Sequence, residues 1–312
     1  MSGLGWQALR QQGAGGHLRK QKAQRAVFAL SILVPLIASF AIFWIYPVIR
    51  GFLGSFTAWR GFEPRAEFVG LHQYARAFRD PVFTISLRNT FYYALLTVPL
   101  DIVLALSLAL AVQASGAVKG YLRAAYFLPV VTSTIATALV WKWLYQPSFG
   151  LINQLLELAH LPTQRWLIST RMAMPSIAIY AIWKSLGFNM VIFAAGLTTI
   201  SETYYDAAKV DGANHWQVFR RVTLPLLQPT LTFVVITAVI GSLQVFGPVY
   251  VMSGDPPGGP NNSTMVVAVL QWTTAFRDLE LGYGSAMGLV LFFIILALTL
   301  VQLRVLRTRW EY

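Results

Sequence analysis

No cysteine occurs in the 312 residues, so disulfides, thiolate metal sites and a cysteine nucleophile are excluded and the redox compartment goes unread. Charge is scarce as well: Asp, Glu, Lys and Arg make up 12% of the chain, about half the roughly 25% of a soluble domain. The four histidines, His17, His72, His160 and His215, are scattered over polar segments without ligand-like spacing, which leaves no metal site to propose. No GxxxxGK[ST] phosphate loop is spelled anywhere, so the chain cannot bind ATP by that device. Nor do His, Asp and Glu converge with catalytic spacing, and the chain reads as something other than an enzyme, without a cofactor of its own. Acids are outnumbered 12 to 24 by bases, a net charge of +12. That excess would fit nucleic acid if the bases formed a stripe with interleaved aromatics; here they flank apolar runs, the pattern of a membrane protein.

What is abundant is apolar length, with 56% of the residues hydrophobic. A bilayer crossing needs about 20 mostly apolar residues. Six stretches meet or approach that: Val27 to Ile49, Phe91 to Val112, Ala124 to Tyr145, Met172 to Leu197, Leu231 to Met252 and Tyr283 to Leu303. The first is too long for a signal-peptide core and lacks a small-residue cleavage pattern after it, so it reads as an uncleaved anchor. Backbone facing lipid must be satisfied within its own segment, which makes all six helical. The expectation is an all-α polytopic bundle of six transmembrane helices, with a basic segment at 1–25 and a six-span domain at 26–312. Pro35, Pro47, Pro99, Pro129 and Pro175 fall within or beside the spans and read as kinks. Gly284 and Gly288, with Ser285 and Ala286 between them, suggest close helix packing at the start of the last span.

Orientation follows from where Lys and Arg sit. The amino-terminal segment holds Arg10, Arg19, Lys20, Lys22 and Arg25 with no acid, and the tail holds Arg304, Arg307 and Arg309. Against this, the loop from Arg50 to Arg88 carries six arginines, offset by Glu63, Glu67 and Asp80. Thirteen basic residues fall on the presumed inside and nine outside, a bias toward both termini cytoplasmic that leaves the decision to a motif.

That motif lies between the fourth and fifth spans, at 201–229: SETYYDAAKVDGANHWQVFRRVTLPLLQP. Ser201 can cap a short helix with Glu202 in its first turn, and Gly212 can take the left-handed conformation that ends it. Asn214 can cap the next helix, where Trp216, Phe219 and Val222 recur at helical spacing until Leu224-Pro225 and Pro229 interrupt it. A helix-turn-helix elbow results, joined tightly to a span and able to pass a push to the bundle.

At Tyr205, Asp206, Ala207, Ala208, Asp211, Gly212 and Ala213, then Phe219, Leu224, Pro225 and Pro229, the sequence resembles the permease subunits of binding-protein-dependent ABC importers, whose cytoplasmic signature is the EAA loop. Asp206 stands where the signature implies glutamate, keeping the charge on a shorter side chain. The resemblance runs from about Val27 onward. It includes Phe68-Val69-Gly70-Leu71 with Tyr74, Leu87-Arg88-Asn89-Thr90, Tyr126-Phe127-Leu128-Pro129, Trp141-Lys142-Trp143, Phe149-Gly150-Leu151-Ile152-Asn153 and Gly258-Gly259-Pro260 with Ser263-Thr264. These segments are similar to carbohydrate-uptake permeases. The resemblance implies a MetI-like six-span fold in a bacterial or archaeal inner membrane and the first of two non-identical permeases. It further implies two copies of an ATPase that hold ATP and Mg, and an external binding protein that delivers a sugar, polyol or glycerol phosphate. In it, Tyr205 to Ala208 and Asp211 to Ala213 couple the chain to the ATPase. The rival class, an ion-coupled secondary transporter, would need internal repeats around an ion site, and no repeat between the halves is evident.

Two ionisable residues fall near span centres, Asp101 in the second and Lys184 in the fourth, where an unpaired charge costs about 3 kcal/mol or more. Either they pair as a buried ion pair, or Lys184, beside Trp183, lines the solute path. Asn189, Gln244, Phe246 and Tyr250 join Trp183 and Lys184 as solute-path candidates, because sugar recognition wants amide or hydroxyl partners and an aromatic face.

Overall fold

Long apolar segments can satisfy their backbone only as helices once in lipid, and helices dominate the computed structural model, which describes residues 24–25, 27–61 and 66–306. Among the described residues the only β pairing is a single bridge between Thr57 and Phe68. The basic segment's Arg10, Arg19, Lys20 and Lys22, and Glu63, Arg307 and Arg309, lie outside the described residues. The chain divides into two units, Met1–Gly54 and Ser55–Tyr312.

Among its described residues the first unit has one long helix, α1 (Val27–Gly54), which passes through a π turn at Ala41–Ile45. Apolar on every side and with Gly54 its one buried residue, it is a helix built for lipid or protein cover.

The second unit opens with α2 (His72–Arg79) and the 34-residue α3 (Pro81–Ala114). Asp80 caps α3 by accepting the Val82 N–H at 2.8 Å, and Pro81 supplies the pre-set first turn. α3 begins ten residues before the expected apolar stretch, because its polar start has partners of its own. Asn89 Nδ2 donates to the carbonyls of Asn262 (2.8 Å) and Met265 (2.9 Å), and Thr90 Oγ1 accepts the Val267 N–H at 3.0 Å.

The third expected span, Ala124 to Tyr145, is not one rod. It is α4 (Lys119–Val131) and α5 (Thr134–Leu144), bent by 96°. Pro129 weakens the last turn of α4, and Ser133 Oγ caps α5 by accepting the Ala136 N–H. After α6 (Leu151–Leu158) comes the uninterrupted α7 (Ala173–Thr198), which lies along α3. Gly187 allows α7 to meet α4 at backbone distance: a Cβ there would sit 1.9 Å from the Tyr126 carbonyl oxygen.

The elbow helices α8 (Glu202–Val210) and α9 (His215–Leu226) lead into α10 (Gln228–Leu243) across a 70° bend. The fifth expected span, Leu231 to Met252, is also divided, since α10 stops at Leu243 and α11 (Gly247–Met252) restarts with Pro248 in its first turn. α12 (Val267–Trp272) runs into a π turn at Thr273–Arg277, and α13 (Leu281–Val305) starts after a break in which Leu279 has φ +57°. A Cβ on Gly284 would meet Ala275 Cβ at 2.8 Å and one on Gly288 would meet Gln271 Nε2 at 2.5 Å, so the two glycines seat α13 against α12 as their spacing suggested. Among the described residues four helices are each long and apolar enough to cross a membrane, and the bent pairs α4/α5 and α9/α10 raise the number to six if each counts as one crossing.

Candidate solute cavity and coupling elbow

Apolar packing separates into two clusters. One gathers Phe83, Tyr93, Tyr145, Tyr180, Val249 and Met287; the other holds Ala105, Ala109, Met190, Phe193, Leu197 and Leu227 near the elbow. A cavity of about 400 Å³ opens among α3, α7 and α10, its walls including Tyr93, Thr97, Asp101, Tyr180, Lys184, Asn189, Thr237, Ser242 and Phe246. Aromatic faces and short polar side chains together suit a polyhydroxylated solute.

Asp101 and Lys184 both line this cavity, but they do not form the ion pair their charges suggested. The Asp101 carboxylate, 4% exposed, accepts Ser185 Oγ–H at 3.0 Å and Asn189 Nδ2–H at 2.5 Å. Lys184 turns the other way and donates to the Pro129 carbonyl and to the carbonyl and hydroxyl of Thr132. The reason is the break between α4 and α5. A helix end inside the bundle leaves carbonyls without intrahelical donors, and a cation at a helix C-terminus satisfies both the lone pairs and the dipole. Lys184 is therefore the cap of the broken span.

The cavity brings together Lys184, Asn189 and Phe246 of the solute-path candidates and leaves out Trp183, Gln244 and Tyr250. Trp183 packs into an aromatic group with Trp141 (5.4 Å between centroids) and Tyr180 (6.2 Å), while Tyr250 stacks on Phe246 (5.2 Å) and meets Trp272 edge-on (5.0 Å). Gln244 caps the end of α10 and is exposed. Thr97, Thr237 and Ser242 were missed, because hydroxyls in a span usually bond their own helix, as Thr97 does to the Tyr93 carbonyl and Ser242 to that of Val239.

The elbow is held by back-to-back stops. Ser201 Oγ accepts the Thr203 N–H, with Glu202 in the first turn and Lys209 in the last, both favourable to the helix dipole. At the far end Gly212 sits at φ +73°, with Gly212 N–H on the Lys209 carbonyl (3.0 Å) and Ala213 N–H on that of Ala208 (2.9 Å). One residue later, Asn214 and Gln217 form a reciprocal capping box, each backbone N–H held at 2.9 Å by the other's side chain. Asp206 faces outward and pairs with Lys209 at 3.0 Å, a contact of little stability at that exposure. Inward, Ala208 is buried and Tyr205 packs on the second cluster, its hydroxyl accepting from Thr223 Oγ1 at 3.4 Å. Gly196 lets α7 approach the bend so closely that a Cβ there would lie 2.4 Å from Thr230 Oγ1 and 2.8 Å from Leu227 Cδ1. The elbow thus bears directly on α7 and α10, two walls of the cavity.

Residues 89–310 match the family described as the inner membrane component of binding-protein-dependent transport systems. The chain belongs to that family. It is a transport permease of the membrane, and the ion-coupled alternative is set aside. Among relatives, the diacetylchitobiose uptake system permease of Streptomyces coelicolor is 33% identical over 291 residues, covering 89% of this chain and 82% of its own. The trehalose/maltose transport system permease of Thermococcus litoralis is 33% identical over 290 residues, covering 93% and 97%. In fold the chain is similar to a chain of a crystallised bacterial ABC transporter involved in import of the acidic polysaccharide alginate, with a TM-score of 0.79 at 23% identity over 93% of this chain and 99% of that one.

Proposed function

We propose that this permease forms, with a second non-identical permease, the pathway for a sugar or sugar-like solute in an ATP-driven importer. Two copies of a separate ATPase hold ATP and Mg, and an external binding protein delivers the solute. The observation that carries this reading is mechanical. The elbow closed by Gly212 and Asn214 is locked to α7 through Gly196 and runs through Leu227 into α10, so a displacement of the elbow moves walls of the cavity. Tyr205, Asp206, Ala207, Ala208, Asp211, Gly212 and Ala213 are the coupling segment; Asp206, exposed, offers its charge to the ATPase. Both termini and the elbow face the cytoplasm, and closure of the ATPase pair on nucleotide is transmitted through the elbow to the cavity walls.

The names of relatives that take up diacetylchitobiose and trehalose/maltose support a sugar, as does a cavity with Tyr93, Tyr180 and Phe246 beside Thr97, Asn189 and Ser242. The test is uptake by proteoliposomes that hold this chain, its partner permease and the ATPase, with loaded binding protein outside. Transport should stop when the ATPase is inactivated. Uptake that persists without hydrolysis, driven by an ion gradient, refutes the proposal.

A further inference from the structure

A second cavity, of about 310 Å³, lies among Lys142, Tyr145, Gln146, Leu167, Ile168 and Ser253. Its place relative to the first follows from α7. Leu167 and Ile168 precede the start of α7, the first cavity is lined from Tyr180 to Asn189 in its middle, and the elbow begins just past its end at Ser201. An uninterrupted helix of 26 residues spans about 39 Å at about 1.5 Å per residue. The second cavity is therefore at the end of the bundle away from the elbow. The helices α5 and α11, which pack on each other, join the two: Thr134 and Pro248 at their starts line the first cavity, and Lys142 and Met252 near their ends line the second.

This outer cavity has one charged group and no acid in its wall. Lys142 is half-buried, and its ammonium reaches only the Val251 carbonyl, at a long 3.4 Å. Among the described residues no carboxylate pairs with it, and Asp255, next in sequence to the wall residue Gly254, pairs with Arg277 at 3.2 Å. A half-buried ammonium with one weak acceptor has unspent donors and is suited to a charge-assisted bond with an anion. The remaining wall supplies the Gln146 amide and the ring of Tyr145, which is fixed by its hydroxyl on the Ser176 carbonyl and packs 5.2 Å from Trp166. An amide is a usual hydrogen-bond partner of a sugar hydroxyl, and Tyr145, 2% exposed, gives the wall a rigid backing.

We propose that the cavity at Lys142, Gln146 and Tyr145 is an outer station on the solute path, and that it receives a saccharide through an anionic group held by Lys142. It rests on the orientation given under Proposed function, and the test separates the two. Because the chain has no cysteine, Gln146→Cys places one reporter thiol in the cavity of the full-length chain in intact cells. Its labelling rates are compared for a sulfonate-bearing and a trimethylammonium-bearing impermeant methanethiosulfonate. The anionic reagent should react faster. Adding Lys142→Gln should lower the anionic-to-cationic ratio about threefold or more, as expected on losing one unit charge within about 7 Å, whereas Lys142→Arg should keep it. Glucuronate should slow the labelling more than glucose, and Lys142→Gln should erase that difference. A ratio unmoved by Lys142→Gln, or equal protection by the two sugars, overturns the anionic station. Labelling only in inverted vesicles overturns the orientation and the functional reading with it. No labelling at Gln146→Cys, nor at Leu167→Cys as a second reporter, in either preparation means no open cavity, and overturns this proposal alone.

Discussion

Replacing Gly212 with valine isolates the elbow's stop. A Cβ at this position would meet nothing within 4 Å, so the change adds no clash with neighbouring atoms, and its whole cost is the backbone conformation at φ +73°. An L residue in the left-handed region costs about 1 to 2 kcal/mol, with a β-branched one at the upper end, whereas asparagine tolerates the region. Each 1.4 kcal/mol is roughly a factor of ten in population, so the ratio of closed to open stop, with its bonds from Gly212 and Ala213 to the end of α8, falls about tenfold in Gly212→Val. The same cost is small beside the about 5 to 15 kcal/mol that holds a domain folded, so insertion and assembly should survive. In purified complexes, stimulation of ATP hydrolysis by loaded binding protein should drop about tenfold in Gly212→Val and stay near wild type in Gly212→Asn. Equal stimulation in all three proteins would refute the claim that the left-handed stop shapes the coupling helix.

The topology is checked with cysteines at Asn214, which should resist an impermeant thiol reagent in intact cells, and Asn261, which should react. Since Asp101 and Lys184 have separate partners, the stability losses of Asp101→Asn and Lys184→Met should add; a coupling above about 1 kcal/mol in a double-mutant cycle would restore the direct pair. Lys184→Met alone should cost about 1 to 3 kcal/mol, read as a lowered melting temperature in detergent, because it strips the donor from the carbonyls of Pro129 and Thr132. Gly187→Ala should destabilise the bundle strongly, its Cβ falling on the Tyr126 carbonyl, while Gly241→Ala, with open space beside it, should be neutral or gain up to about 1 kcal/mol of helix propensity.

Where one local rule governed, the sequence was readable. Ser201, Gly212 and Asn214 act as cap, stop and cap within a few residues of their partners, and the structure places each in that role. The long helices α1, α3, α7 and α13 followed from apolar length, and Gly284 and Gly288 from their spacing. The breaks at Thr132-Ser133 and after Leu243 were hidden, because apolar character continues across each while the cues, Pro129 with Ser133 and Gly247-Pro248, are brief. Facing was hidden too. Opposite charges at Asp101 and Lys184 suggested a pair, but the free carbonyls that claim Lys184 exist only once α4 has ended inside the bundle. Trp183 adjoins Lys184 in sequence yet turns to Trp141, since neighbours on a helix point about 100° apart.

The caps and stops of the elbow close within five residues: Ser201 with Thr203, Lys209 with Gly212, Ala208 with Ala213, Asn214 with Gln217. Its outline is therefore written in its own short sequence and owes little to whichever solute the bundle admits. Such a piece is an interchangeable part. Residues 201–227 could be grafted between permeases of different specificity, provided the recipient keeps a small residue opposite the bend, as Gly196 is here. Evolution could then vary the solute pathway and the elbow independently.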